Sequence, residues 1–525
     1  MNLLDSHLLT WLTAVPAVGA VVVLLARRQR PTVSRGLALA FTGVAMLLTL
    51  RVLWLFDPSK AGPQLSERFT WIPTLHADYV VGVDGLSILL LLLSALIVPL
   101  AIAASWRSSG KGNDDARLTS MLMLLLQSGM FGVFTALSFF HWFLFWEVVL
   151  IPAFFLVRAG GTALARRAAL KFLLTTLVGS VAMLLAFQAM LFAANTLDFA
   201  ELARLGKSGA LAGKLAQLAA DAGLGWSAST CAALAFGGVL LAIAIKTPMW
   251  PLHTWLPDTY AEAPSPTTLL LTAGMSKMGV YALLRIALPI FPDTAQRLAP
   301  LLLGFAVVTV VAGAFAALAQ TDLKRIMAYS SVNHVGFCLV GAFAAVGAGT
   351  GLTDDRAAAM SGAVLQMFVH GVTAGAMFFL LNALEERTGH RGLHDFGGLR
   401  RAAPWFCGAF GVVTFASLGL PGLAGFVSEL LVLRGTFMLA PLMAALSLIG
   451  VFVTAVFLLT VIQRVWWGPP RQWTVPLPDL TPRELVVAGV LVALIVAVGV
   501  MPGPFVAQGS AAVDALVATF AGGAR

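Results

Sequence analysis

Fourteen stretches of this chain are apolar for long enough to cross a lipid bilayer, and no other feature constrains the fold as much. They run at roughly 8–25, 36–56, 86–104, 118–136, 139–157, 172–193, 228–250, 267–289, 298–318, 327–347, 359–383, 404–437, 441–462 and 485–506. A hydrocarbon core about 30 Å thick is spanned by about 20 helical residues rising 1.5 Å each. With no water there to satisfy a bare backbone, such runs must be helical. The expected fold is an all-α polytopic membrane protein of about 14 transmembrane helices. Composition agrees, since 59% of the 525 residues are hydrophobic and only 11% charged, too few for a water-soluble surface. The net charge of +9 would suit nucleic acid, but in a membrane chain it reflects Lys and Arg in cytoplasmic loops, so the expected partner is the lipid bilayer. Cys231, Cys338 and Cys407 stand far apart with no C-x-x-C spacing, so neither a zinc nor an iron–sulfur site is expected, and no cofactor in this chain. The first run has Asp5 before it and Arg27-Arg28-Gln29-Arg30 after it, the reverse of a signal peptide, so a retained first helix is expected. Gly347-Ala348-Gly349-Thr350-Gly351 follows a membrane run rather than a strand and is not read as a nucleotide loop.

Lys and Arg divide unequally between alternate loops. Loops after odd-numbered runs carry 20 of them and the opposite side 8. The positive-inside bias then puts both termini outside the cytoplasm of a bacterial inner membrane. The two long outer segments, 57–83 and 194–227, are expected to hold short interfacial helices; Asp198 to Leu218 is amphipathic enough for one.

Two runs carry strong helix breakers. The seventh contains Lys246-Thr247-Pro248-Met249-Trp250-Pro251, where each proline removes an amide donor and clashes with the carbonyl four residues back. The twelfth contains Gly419-Leu420-Pro421-Gly422-Leu423-Ala424-Gly425. Backbone freed at membrane depth is tolerated only where it is buried in protein or lines a cavity. The broken helices 7 and 12 are an odd number of spans apart and so run in opposite directions, the pattern of two inverted five-helix repeats. The expected division is 1–117 for helices 1–3, 118–289 for the first repeat (helices 4–8), 298–462 for the second, inverted repeat (helices 9–13), and 463–525 for the last loop, helix 14 and a short C-terminal tail.

Charge within a span costs at least about 2.5–3.5 kcal/mol on insertion scales, so it usually has a function and a partner. Six ionisable residues fall inside the runs: Glu147, Lys246, Lys277, His334, His370 and Glu429. Arg285 and Arg434 lie nearer helix ends, where they are expected to snorkel to the interface. Each candidate has a plain structural reading too. Glu147 could form a fixed ion pair, and Lys246 could satisfy carbonyls freed at the break. Lys277 could simply pack beside Tyr281, and Glu429 could sit at a helix N-terminus. His334 with Ser330 and Ser331, and His370 with Gln366, could form polar stripes. As a series they suggest more, because burial or a neighbouring acid readily brings lysine and histidine to exchange protons near neutral pH.

Several of these residues sit in longer motifs. Phe145-Trp146-Glu147, Lys246 through His253 to Asp258, Glu262-Ala263-Pro264, Ser276-Lys277-Met278-Gly279-Val280-Tyr281, Asp322 through Lys324-Arg325 to His334, and Gly419 to Gly422 with Glu429 together resemble the antiporter-like subunits of respiratory complex I, over roughly residues 80–470. Gly82-Val83-Asp84-Gly85-Leu86-Ser87, Gly279 to Arg285 and the acid at Glu429 look most like subunit M. Ser138 departs from the pattern, where an acid or its amide would stand.

The resemblance implies a proton-translocating membrane subunit of an NADH:quinone oxidoreductase, doing no redox chemistry itself. In it Glu147 and Lys246 would form an input-side pair, Lys277 a central relay, His334 an onward carrier and Glu429 the exit, with His370 between. It also implies partners: other membrane subunits of complex I, including neighbouring antiporter-like subunits, and a peripheral arm holding FMN and iron–sulfur clusters and reducing quinone. The alternative is a subunit of a multi-subunit cation/proton antiporter or a membrane-bound hydrogenase. The orientation is directly testable. A reporter active only in the cytoplasm, fused after Leu218, is expected to stay silent, and activity there would overturn both the topology and the inverted repeat built on it.

Overall fold

Where the helices begin and end follows from a few residues with special backbone chemistry. The computed structural model describes residues 3–26, 30–75, 77–107, 116–347, 352–469 and 477–521, which are mostly helical. Residues 27–29, with Arg27 and Arg28, and most of the Gly-rich stretch at 347–351 lie outside the described residues. Proline opens the helices that start at Pro31, Pro292, Pro404, Pro441 and Pro482, where its missing N–H removes no helical bond and its fixed φ suits the first turn. Thr162, Asp198 and Ser227 cap others by accepting hydrogen bonds from amides two or three residues on.

In chain order the principal helices are α1 (Leu8–Leu25), α2 (Pro31–Leu55), α3 (Ile88–Ala104), α4 (Ala116–Thr135), α5 (Phe139–Arg158), α6 (Ala163–Ala194), α7 (Phe199–Lys207), α8 (Ala210–Asp221), α9 (Ala228–Lys246), α10 (Trp255–Glu262), α11 (Ser265–Ile290), α12 (Pro292–Leu318), α13 (Leu323–Gly347), α14 (Thr353–Thr388), α15 (Pro404–Ser417), α16 (Ala424–Leu439), α17 (Pro441–Trp467), α18 (Pro482–Val500) and α19 (Gly503–Ala521). Among the described residues twelve of these are long and apolar enough to cross a membrane, and α3 and α15 are shorter apolar helices.

The bundle has a shielded centre and a lipid-facing rim. The apolar windows of α11 and α13 are 94% buried and that of α14 wholly buried, against 28% for α2 and α18. The polar residues of the sequence analysis concentrate in those three shielded helices. Small residues let backbones touch there: a Cβ on Gly362 of α14 would lie 2.5 Å from the Val432 amide of α16, and one on Gly435 2.5 Å from the Ala359 amide.

Both expected breaks are present. α9 ends at Lys246, and helix resumes at Trp255 in α10. Between α15 and α16 the chain turns through Gly419 and Gly422 at φ +78° and +87°, a left-handed conformation that glycine adopts without strain. α11 is itself irregular, with π-helical turns at Leu271–Met275 and Leu283–Ala287.

Three expectations need correction. Residues 57–83 form no interfacial helix but an antiparallel hairpin, β1 (Gln64–Ile72) with β2 (Ala77–Val83), pairing Phe69 with Tyr79 and Arg68 with Val80. Its aromatic and β-branched residues favour the extended pleat. The Glu67 carboxylate on β1 accepts from the Leu9 and Thr10 amides at 2.8 and 3.2 Å, so the hairpin caps the start of α1. The outer segment 194–227 does hold helices, α7 and α8. At the C-terminus the chain does not trail off as a tail but turns at Met501–Pro502 into α19, packed on α14 through Phe368 and Phe505. Finally, Arg285 does not snorkel. Its side chain is 13% exposed and lies 2.5 Å from the buried Asp84 carboxylate that precedes α3 and 3.1 Å from the Tyr281 hydroxyl, partners within reach where the interface is not.

That pair fastens α11 to the start of α3. Replacing Arg285 with leucine leaves Asp84 buried and unpaired, a loss of about 3–5 kcal/mol. The expected outcome is a clearly lower unfolding temperature in detergent, partly restored when Asp84→Asn is added. A melting curve for Arg285→Leu that overlays wild type would rule this out.

Candidate functional site

Four of the six candidate residues meet inside the shielded centre. Lys277 follows the π turn of α11, where the Ser276 amide reaches back five residues to the Leu271 carbonyl. That displacement leaves the Thr272 carbonyl to accept from the Ser276 hydroxyl at 2.7 Å and from the Lys277 ammonium at 2.5 Å. Lys277 Nζ also lies 2.9 Å from Ser276 Oγ and 2.8 Å from Nδ1 of His370 on α14. The His370 ring stands 5.7 Å, centroid to centroid, from that of His334 on α13. His334 Nδ1 is 2.9 Å from Oε1 of Glu429 on α16.

Lys277, His370, His334 and Glu429 thus form one row across four helices, each at most 7% exposed. An ammonium donating to Nδ1 leaves His370 its own proton on Nε2, while Nδ1–H of His334 donates to the carboxylate. The Nε2 atoms of both histidines are buried and have no protein partner. Each imidazole therefore has one engaged and one free nitrogen, which is what accepting a proton on one side and releasing it on the other requires. Gln366 supports the row, donating to the His334 carbonyl at 3.5 Å and accepting from Ser428 Oγ at 2.5 Å.

Glu147 and Lys246 stand apart from this row, and here the geometry differs from what the resemblance implied. Lys246 is the last residue of α9 and 2% exposed, yet it makes no ion pair within 4.0 Å with Glu147. Its Nζ lies 4.6 Å from the ring centroid of Trp146, the residue beside Glu147 in α5. Both Lys246 Nζ and Glu147 Oε1 are buried without a hydrogen-bond partner. The indole face, rather than the carboxylate, is the group in contact with the ammonium, and Trp146 Nε1 is itself fixed on Ser180 Oγ at 3.1 Å. Trp146 is therefore a site residue that the sequence reading overlooked, although the Phe-Trp-Glu motif contains it. The broken end of α9 reaches the row closely: a Cβ on Gly279 would lie 2.2 Å from Thr247 Oγ1, next to Lys246 and two residues from Lys277.

A second group overlooked as a unit lies at the inner ends expected from the topology. Asp258 of α10 takes Lys171 of α6 at 2.8 Å and Arg325 of α13 at 3.0 Å. Arg391, in the loop after α14, takes Glu262 at 2.8 Å and Asp322 at 2.7 Å, and Lys324 pairs with Glu385 of α14. Asp258, Glu262, Asp322, Lys324 and Arg325 come from the quoted motifs, whereas Lys171, Glu385 and Arg391 do not, and their mutual pairing is visible only in three dimensions. Arg434 is exposed, as expected. Among the described residues no group of three His, Cys, Asp or Glu side chains is placed to hold a metal ion.

Comparison with known proteins decides the family. Residues 136–457 match the family described as NADH:quinone oxidoreductase/Mrp antiporter, TM, and residues 65–132 match the amino terminus of NADH-ubiquinone oxidoreductase chain 4. The chain belongs to this family. NADH-quinone oxidoreductase subunit M of Mycobacterium tuberculosis (strain ATCC 25618 / H37Rv) is 34% identical over 94% of this chain and 90% of its own. A chain in the structure of respiratory complex I from Thermus thermophilus with bound NADH superposes with a TM-score of 0.83 at 28% identity, over 98% of this chain and all of that one. A chain of the Mrp complex from Dietzia sp. DQ12-45-1b reaches 0.82 at 20% identity, over 99% and 100% of the two chains, a likeness of fold alone. The family members supply the frame for the buried row: a multi-pass, antiporter-like membrane subunit.

Proposed function

We propose that this chain carries protons across the membrane as a non-redox subunit of an NADH:quinone oxidoreductase, acting as part of a translocase. The observation that carries the reading is the row from Lys277 through His370 and His334 to Glu429. A scaffold gains nothing from four buried titratable groups brought together in its shielded centre, since each is costly there. In the row, Lys277 gives its proton to Nδ1 of His370, and His370 releases one from Nε2 toward His334. The 5.7 Å between ring centroids suits transfer directly or through one water. His334 passes a proton from Nδ1 to Glu429, which discharges it.

Glu147 serves in this reading as an electrostatic switch that need not carry the proton. An opposite charge within a few ångströms favours the charged form of an amine, and its withdrawal favours release. Moving Lys246 between the Trp146 face and the Glu147 carboxylate would change that balance, with the unwound residues 247–254 providing the freedom. Each tenfold change in proton affinity is worth about 1.4 kcal/mol, so modest motions suffice.

The architecture that goes with this reading has fourteen membrane helices, counting α3 and the α15–α16 pair. It has inverted repeats over 118–289 and 298–462, and both termini outside the cytoplasm of a bacterial inner membrane. Its partners are the other membrane subunits of a complex I-type assembly, with FMN, iron–sulfur clusters and quinone held by subunits other than this one. The relatives named as NADH-quinone oxidoreductase subunits favour this over the cation/proton antiporter or hydrogenase reading, because the likeness to the Mrp complex is one of fold. Co-purification with a flavin-containing arm separates the two.

Two measurements test the mechanism. Lys277→Ala is expected to lower proton translocation per assembled complex by roughly 10- to 100-fold. Lys277→Arg is expected to fail as well, because a guanidinium does not release its proton; normal pumping by that variant would refute the relay. Glu147→Gln, which keeps size and hydrogen bonding but not charge, is expected to abolish most pumping while Glu147→Asp retains part. If the acid is only structural, Glu147→Gln instead lowers the amount of complex and leaves pumping per complex intact, so both are measured on the same membranes.

A further inference from the structure

Three helix ends converge away from the buried row: α14 starts at Thr353, α16 ends at Leu439 and α17 starts at Pro441. Between them lies an open groove of about 410 Å³, walled by Leu433, Phe437, Met438 and Leu448 and bearing Asp355 and Arg434. Phe437, Met438 and Leu448 are exposed, as befits a lipid-facing surface. The two charges are unusual. Arg434 is exposed and Asp355 half-exposed, yet they make no ion pair within 4.0 Å with each other or with any other described residue, and neither side chain is hydrogen-bonded. Opposite charges sharing one groove without pairing call for a ligand that presents both signs.

We propose that this groove is a binding site for a zwitterionic aminophospholipid, phosphatidylethanolamine. The Arg434 guanidinium matches a phosphate through its planar fork of donors. The Asp355 carboxylate accepts from a primary ammonium, and the aromatic and aliphatic walls take the acyl chains. Because α14 and α17 begin here and α16 ends here, the charges lie at headgroup level and the apolar wall runs toward the hydrocarbon. A phosphatidylcholine offers the same phosphate but a quaternary nitrogen with no N–H to donate. A phosphatidylglycerol offers nothing positive to Asp355. The site uses no residue of the buried row and stands independently of the proton-relay reading.

The test uses the assembled complex in nanodiscs containing a trace of phosphatidylethanolamine or phosphatidylcholine with a photoactivatable acyl chain. Labelled peptides are mapped over residues 430–450. Wild type is expected to be labelled about tenfold more by the ethanolamine lipid than by the choline lipid, the difference a charge-assisted hydrogen bond makes. Asp355→Asn is expected to erase that preference, and Arg434→Gln to lower labelling by both lipids. Arg434→Lys, which keeps the charge with less risk to folding, is expected to fall between. Equal labelling of wild type by the two lipids would reduce the groove to ordinary lipid contact and overturn the proposal. So would labelling indifferent to both Arg434 variants. An unlabelled segment, covered by a neighbouring protein chain, would overturn it equally.

Discussion

Charge held inside hydrocarbon is the condition on which the rest of this structure depends. Lys277, His370, His334 and Glu429 each lean on a partner contributed by a different helix, so none of α11, α13, α14 and α16 can slide without stranding a polar group. The close backbone contacts at Gly362 and Gly435 are the geometric counterpart of that requirement. They bring α16 near enough to α14 and α13 for the Glu429 carboxylate to reach the His334 ring. Side chains larger than glycine would hold the helices apart and leave the acid short of its partner. Packing of small residues and pairing of charged ones are thus two sides of one arrangement.

Different parts of this arrangement were legible in the sequence to different degrees, for physical reasons. Membrane helices and their breaks announce themselves locally, because apolar length, proline and glycine act on the backbone where they stand. The Lys246–Trp255 and Ser417–Ala424 interruptions were therefore readable. The identity of the buried ionisable residues was readable too, because charge inside an apolar run is conspicuous. Their partners were not. The contact between Lys277 and His370 depends on the π turn at Leu271–Met275, which shifts one helix register and has no clear local signature. The same holds for Arg285, whose acid lies about 200 positions away at Asp84. The hairpin at Gln64–Val83 was obscured because its alternation is weak and irregular, with register shifts on both sides of the Glu67–Thr70 pairing.

Glu147 and Lys246 show a limit of another kind. Family motifs carry which residues matter but not which of several arrangements they occupy. Here Lys246 lies against the Trp146 ring rather than the Glu147 carboxylate, two neighbours on the same helix that offer an ammonium alternative stabilisation. By contrast, the paired charges around Asp258, Arg391 and Lys324 are closed. α10 is tied down by the ion pairs of Asp258 and Glu262, and the unwound chain before it is held by hydrogen bonds, from Trp250 N–H to Thr309 Oγ1 and from Lys171 to the Thr254 carbonyl.

α14 runs for 36 residues without interruption and carries His370 halfway along. At 1.5 Å per residue it is about 54 Å long, more than a hydrocarbon core of about 30 Å needs, and its stretch free of acidic and basic residues other than histidine, 357–384, is centred on the same point. A bilayer centred on that stretch would put the imidazole near its electrical midpoint. A charge moved across the full thickness changes energy by about 2.3 kcal/mol per 100 mV, so one resting on His370 has experienced about half of that. In the proposed relay, transmembrane voltage would therefore act almost equally on the steps before and after this residue, biasing occupancy of the central ring less than travel from one face to the other.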